Sequence, residues 1–215
     1  MKNRRKKNRS LLPLTTGLCL LPLALSLALY PALPEQVPVH FDFSGEANGY
    51  MPKAQAAFFL PVLMTLCNLV CHAALDHDPK QAGQSKKLRA AAKWLCPALC
   101  LVLHPATLLA SLGVPVPFPM LCTALLGAAF VLVGNYMPKC RQNYTMGVRT
   151  PWTLHSPENW NRTHRLAGRL WVAGGLLVAL AGFWGGAMGP LLAVVLPAVA
   201  LAPVAYSYIL YRRGV

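Results

Sequence analysis

Acidic side chains are scarce: six Asp and Glu stand against 20 Lys and Arg in 215 residues, and charged residues of all kinds make up only 12%. An ordinary soluble domain carries about 25%. Together with a hydrophobic share of 55% and a mean hydropathy of +0.44, this excludes a soluble globular protein. Chemistry is also missing. There are no paired carboxylates, no nucleophile elbow, no glycine-rich phosphate loop and no metal-ligand cluster. His155 and His164 have no carboxylate beside them in the sequence except Glu158. The reading is therefore of no enzyme, no cofactor and no metal. Seven cysteines, mostly inside apolar runs, make no disulfide framework. The net charge of +14 does not point to direct nucleic-acid binding, because the basic residues sit in clusters between apolar runs rather than on one continuous stretch.

What is present is a series of apolar runs near 11–33, 55–75, 94–112, 119–137, 167–185 and 188–210, each close to the roughly 20 residues a helix needs to cross a bilayer. With the N-terminus inside, every basic residue except Lys53 falls on the inner side, as the positive-inside rule requires. The expected fold class is all-α: a polytopic membrane bundle of six transmembrane helices, N-in and C-in, with one structured outer loop and one large inner loop. The first run is longer than the core of a cleaved signal, about 7–15 residues, and is read as a span. A basic tail, 1–10, precedes a two-span unit, 11–75, with its extracellular loop at 34–54. A cytoplasmic loop, 76–93, leads to a four-span unit, 94–215, whose own cytoplasmic loop is 138–166. Membrane lipids are the immediate surroundings, and the tail suits anionic headgroups.

Two loops carry the informative residues. In the outer one, Val37, Val39, Phe41 and Phe43 alternate with Pro38, His40 and Asp42, and Ser44-Gly45-Glu46 turns the chain. This predicts a short extended segment capping the bundle, with His40, Asp42 and Glu46 as candidate ligand contacts. In the inner loop, Ser156-Pro157-Glu158 is a helix start, with a serine cap, proline in the first turn and an acid at the positive end of the dipole. Trp160, His164, Gly168 and Trp171 then follow along one stripe. Trp160 suits the headgroup level of an interfacial anchor, Gly168 permits close helix contact, and Arg162, Arg165 and Arg169 reach phosphates or snorkel.

Arg149-Thr150-Pro151-Trp152-Thr153 is the most specific run. Proline pushes Thr150 to an extended conformation, from which Arg149 and Trp152 are expected to project and clamp an anionic group or a partner protein. The candidate inner contacts are Asn143, Tyr144, Arg149, Thr150, Pro151, Trp152, Trp160, His164 and Arg165. Sequons at Asn143 and Asn161 lie on the inner side and are discounted. Cys96, Cys100 and His104 recur at every fourth residue and share a helix face, as Cys67 and Cys71 do. Packing explains them, with the carbonyl freed by Pro105 as a partner for His104.

These motifs carry a resemblance. Gly134-Asn135-Tyr136-Met137-Pro138-Lys139, Asn143-Tyr144 with Gly147 through Leu154, and Trp160 with Thr163-His164-Arg165 and Gly168 resemble the SdpI family of bacterial membrane proteins. Leu33-Pro34, Val37 to Phe41, Gly45, Gly49 and Lys53 look like the small domain of unknown function that often precedes it. The resemblance implies a multi-pass protein of the bacterial plasma membrane. It also implies immunity to an SdpC-like hydrophobic peptide toxin and signal transduction in which a cytoplasmic SdpR-like repressor is held at the membrane. On this reading the outer loop or the bundle meets the peptide and the inner loop meets the repressor, with both favouring one bundle arrangement. The competing expectation is a small-molecule or lipid transporter, or a lipid-interacting membrane protein, with His72 and His104 as the ionisable groups at membrane depth.

Overall fold

The computed structural model describes residues 11–80, 85–184 and 188–215. Its elements are α1 (Leu11–Leu29) with a 3-10 turn (Tyr30–Ala32), β1 (Gln36–Phe41), β2 (Ala47–Pro52), α2 (Lys53–His77), α3 (Lys86–Ser111), α4 (Phe118–Tyr136) with a 3-10 turn (Met137–Lys139), α5 (Pro151–His155), α6 (Pro157–Ala181) and α7 (Met188–Arg212). The chain is a helical membrane protein. Among the described residues five helices are long and apolar enough to cross a bilayer: α1, α2, α3, α4 and α7. With 25 residues, α6 is also long enough, at about 1.5 Å per residue. It differs in its first half, which carries Glu158, Arg162, Arg165 and Arg169 before the apolar run begins at Leu170.

The chain packs as two compact units. The first holds residues 11–73 and 92–118. In it β1 and β2 form an antiparallel hairpin with register shifts on either side of His40, and Gly45 takes the turn at φ 92°. One hairpin face packs down on the helices. Val37 is fully buried with Leu33, Ala56, Ala57 and Leu108, Met51 packs against the same cluster, and Phe41 stacks on Phe118 with ring centroids 3.8 Å apart. The extended segment expected around Val37 is thus the first strand of a pair.

Below the hairpin, polar side chains tie helices together where lipid offers no alternative partner. The Ser26 hydroxyl donates to the Ala57 carbonyl at 2.7 Å and stands 2.6 Å from His104 Nε2. Because the single hydroxyl proton is directed at that carbonyl, His104 Nε2 is the donor to Ser26. The expected bond from His104 to a carbonyl freed by Pro105 is replaced by this contact across helices. His72 Nε2 meets Thr15 Oγ1 at 3.1 Å, Asn68 donates to Thr16, and the Cys100 thiol points to the Cys19 carbonyl at 3.3 Å. Of the cysteines on these two faces Cys100 is buried, Cys71 and Cys96 are partly buried, and Cys67 is exposed.

The second unit holds 74–91 and 119–215, as far as they are described. Here α4 and α6 approach closely through glycines seven residues apart on each helix. A Cβ on Gly175 would lie 2.7 Å from the Gly127 carbonyl oxygen, and one on Gly168 2.8 Å from that of Gly134. The pairing of 127 with 175 and 134 with 168 makes the helices antiparallel. Against α7, Val178 of α6 buries with Val195 and Val199, and Trp171 donates to the Val199 carbonyl at 3.0 Å. This frame holds the start of α6 beneath the 139–155 segment, where most of the candidate residues lie.

Candidate functional site

The loop between α4 and α6 is folded by its own side chains. Asn143 is fully buried. Its Oδ1 accepts from the N–H groups of Thr145 and Met146, and its amide donates to the Arg141 carbonyl at 2.8 Å, closing an Asx turn. Thr150 is extended, at φ −112° and ψ 161°, as the following proline dictates, and it caps α5. Its hydroxyl accepts from the Thr153 N–H while the Thr153 hydroxyl accepts from the Thr150 N–H, with Pro151 in the first turn. Ser156 caps α6 as expected, accepting from the Asn159 N–H.

Trp160 and His164 form the floor. Trp160 is fully buried, stacks on the His164 ring at 3.9 Å, and donates from Nε1 to the Cys140 carbonyl at 2.7 Å. His164 Nδ1 lies 2.8 Å from the Trp160 carbonyl, while Nε2 accepts from the Val148 N–H at 3.1 Å. The first contact requires a proton on Nδ1 and the second requires none on Nε2, so the neutral imidazole is a bridge between loop and helix. Burial pushes His164 down to about 4, although the Trp160 carbonyl works the other way. Gly147, at φ 104°, brings the loop within reach: a Cβ there would stand 2.2 Å from His164 Nε2. The interfacial role expected of Trp160 is corrected by this burial, since an indole enclosed on all sides faces no headgroup.

Trp152 does not project as the proline turn implied. Its indole is half-buried, donates to Ser207 Oγ at 2.6 Å, and lies against Tyr208 and Tyr211 at the end of α7. Arg149 does stand exposed, its guanidinium donating to the Tyr144 carbonyl. Tyr144 is itself half-exposed, with the Lys80 ammonium 4.8 Å from its ring centroid. Arg141 and Arg165 are exposed as well, and Arg162 pairs with Glu158. The nine inner candidates thus divide. Asn143, Thr150, Trp152, Trp160 and His164 build the loop, Pro151 starts α5 with its ring exposed, and Tyr144, Arg149 and Arg165 offer a basic and aromatic outer surface.

Several organising residues gave little warning in the sequence. Asp78 is buried; its carboxylate accepts from the Lys80 N–H, the Tyr144 N–H and the Thr145 hydroxyl, fastening the chain just after α2 to the loop. Burial works to raise this carboxyl, and the bonds from Thr145, Lys80 and Tyr144 outweigh it, holding the group below the usual carboxylate range. Gln142 donates to the carbonyls of Thr153 and Leu154 and accepts from Lys80 at 3.2 Å. Asn159 donates to the carbonyls of Ser207 and Val215. Asp76 and Asp78, two acids at the head of a basic stretch, were the available signal for Asp78. Asp78→Asn replaces one of the two accepting oxygens with an amide donor that faces the donors it had held, and is expected to cost about 1–3 kcal/mol. Faster proteolysis of 139–155 at neutral pH, with the membrane helices still protected, is the check.

On the hairpin, the three outer candidates lie close in sequence with different duties. His40 Nδ1 contacts Asn48 Oδ1, and the Asp42 carboxylate accepts from the N–H groups of Ser44 and Glu46 and from the Ser44 hydroxyl. The Ser44 hydroxyl leads these bonds in holding Asp42 below its usual range. Glu46 is exposed. Among the described residues no group of three His, Cys, Asp or Glu is placed to hold a metal ion.

The inner loop and the end of α7 coincide with a family match: residues 139–207 match the SdpI/YfhL protein family. Residues 17–65, which include the hairpin, match a domain of unknown function, DUF1648. The chain is 30% identical over 189 residues to the Immunity protein SdpI of Bacillus subtilis (strain 168), covering 87% of this chain and 89% of that protein. No solved structure matches. With identity at that level across nearly the whole of both proteins, and apolar helices of membrane-spanning length, the chain belongs to the SdpI family of multi-pass bacterial cell-membrane proteins.

Proposed function

We propose that the chain is an integral membrane immunity protein that protects the cell bearing it from an SdpC-like antimicrobial peptide. The observation that carries this reading is the 30% identity to an immunity protein, extending over both the hairpin-bearing and the loop-bearing regions. The topology proposed with it is six spans with both termini inside. This places α6 across the bilayer from about Leu170 onward, and its arginines at the inner surface. The peptide is met outside, by the hairpin. Inside, the exposed Arg141, Tyr144, Arg149 and Arg165 contact a cytoplasmic repressor and hold it at the membrane. A basic and aromatic surface on a folded loop suits a protein partner better than a bare headgroup contact, because the loop's backbone is fixed by Asn143, Asp78 and His164.

Survival of a sensitive bacterium challenged with an SdpC-type peptide tests the reading. The unaltered chain is expected to protect. Arg149→Ala, made at equal membrane abundance, is expected to cut survivors by roughly tenfold or more, the scale of losing one charge-assisted contact. Unchanged protection in the variant removes the inner surface from immunity. No protection by either form overturns the reading.

A further inference from the structure

The hairpin exposes large apolar side chains beside acids, in a chain that is otherwise strongly basic. With Val37, Met51 and Phe41 packed down, the other face is left outward. Cross-strand partners share a face, so Pro38 and Tyr50 lie together on it, as do Gln36 and Pro52. Tyr50 is 58% exposed, and Phe43, at the hairpin tip, is 56% exposed. A phenylalanine at a tip is unusual, because turn positions favour Gly, Asn, Asp and Ser for their backbone chemistry. Two large exposed apolar side chains on so small a hairpin mark a contact surface.

Acids outnumber Lys and Arg around the hairpin. Three of the six acids in the chain, Glu35, Asp42 and Glu46, lie on or beside the hairpin. The neighbouring cation, Lys53, has a side chain only 17% exposed; it pairs with Glu35 at 3.7 Å and sits 4.9 Å from the Tyr30 ring centroid, so its charge is set against Glu35 at the base of the hairpin and away from Asp42 and Glu46 at the tip. Glu46 is exposed, and the bonds around Asp42 keep it ionised. A bilayer surface fits such a face poorly. Pressing Phe43 into headgroups would carry the Asp42 and Glu46 carboxylates with it, against their hydration and against anionic lipid.

We propose that the exposed surface of the hairpin, with Phe43 and Tyr50 as apolar anchors and Asp42 and Glu46 as its acids, docks a cationic amphipathic peptide. The proposal rests on the immunity reading for its biological sense and gives the chemistry of the partner met outside. Extended peptide suits it best. Its alternating side chains place an apolar row on Phe43 and Tyr50 and its cations toward the acids, and the small hairpin leaves strand groups unpaired for main-chain bonds.

The test uses the full chain in phosphatidylcholine nanodiscs and fluorescently labelled synthetic peptides alternating valine with lysine, glutamine or glutamate. The lysine form is expected to bind at least about tenfold more tightly than the glutamine form, and the glutamate form more weakly still, with the preference fading at high salt. Phe43→Ser with Tyr50→Ser is expected to remove roughly tenfold or more of the affinity. Glu46→Gln, at an exposed position, is expected to flatten the salt dependence. Equal binding of the three peptides overturns the proposal, and so does binding indifferent to Phe43 and Tyr50. Quenching of a Phe43→Trp form by brominated lipid assigns the face to the bilayer instead and also overturns it. Peptide binding lost in the serine variant with cell protection unchanged removes this surface and leaves immunity standing. Binding intact with no protection by the unaltered chain does the reverse.

Discussion

Replacing Trp160 with alanine is expected to destabilise the loop-bearing unit by about 3–5 kcal/mol, the range for emptying a buried aromatic site. The indole is fully enclosed, packs with Leu88, Cys140, Met146 and Leu154, and supports the His164 ring by stacking. Its removal leaves the Cys140 carbonyl without its donor and His164 without the surface that orients it. Trp160→Phe keeps most of the bulk and loses the 2.7 Å bond, so a loss nearer about 1 kcal/mol is expected. Thermal unfolding in detergent reads the difference, and amide exchange over 140–148 locates it. Equal effects from the two replacements would mean that the hydrogen bond, not the packing, sets the stability of this site.

Much of the architecture could be read directly. Apolar runs of span length mark the helices, and the clustering of Lys and Arg between them orders the loops. Ser156-Pro157-Glu158 begins a helix where local chemistry says it must, and Gly168 sits at a close helix approach. What was less legible is long-range. Ala47–Pro52 contains Ala, Asn, Gly and Pro, poor strand formers, and becomes a strand because β1 and the packed face of Val37 and Met51 supply what propensity does not. The short helix α5 follows from a reciprocal cap between Thr150 and Thr153, two residues equally at home in a loop.

The site shows the same division. A dense inner stretch of Asn, Tyr, Trp, Arg and Pro announces a structured surface, but composition does not say which side chains face inward. A tryptophan beside a membrane boundary suits a headgroup belt and a packed floor alike. The carbonyl of Cys140, 20 positions away in the chain, decides for the floor. Ser207 decides similarly for Trp152. Asp78 escaped notice because a single buried acid, held by one hydroxyl and two backbone N–H groups, leaves no periodic trace.

Gly147→Ala is expected to damage the same clasp from the loop side. At φ 104° a side chain is strained by about 1–3 kcal/mol, and the new methyl would meet His164 Nε2 at 2.2 Å, an overpacking that costs about 1–3 kcal/mol more. The ring has little room to retreat, since Trp160 stacks on it and holds Nδ1 through its carbonyl. Combining Gly147→Ala with His164→Ala is therefore expected to be less destabilising than the two changes summed, because the clash disappears while the backbone strain stays. Strict additivity in a double-mutant cycle would show that the methyl and the imidazole do not meet. Acid acts on the same contact with a definite sign. The unfolded chain protonates His164 near 6.5 and the folded chain only at about 4, so the folded state binds fewer protons between those values. The stability tied to the neutral ring is fully present above about pH 6.5 and is lost progressively as pH falls toward 4, where Nε2 gains a proton and faces the Val148 N–H as one donor against another. In the His164→Ala protein that slope should vanish between pH 6.5 and 4, while the loss tied to Asp78, whose carboxyl is held below its usual range, remains at lower pH.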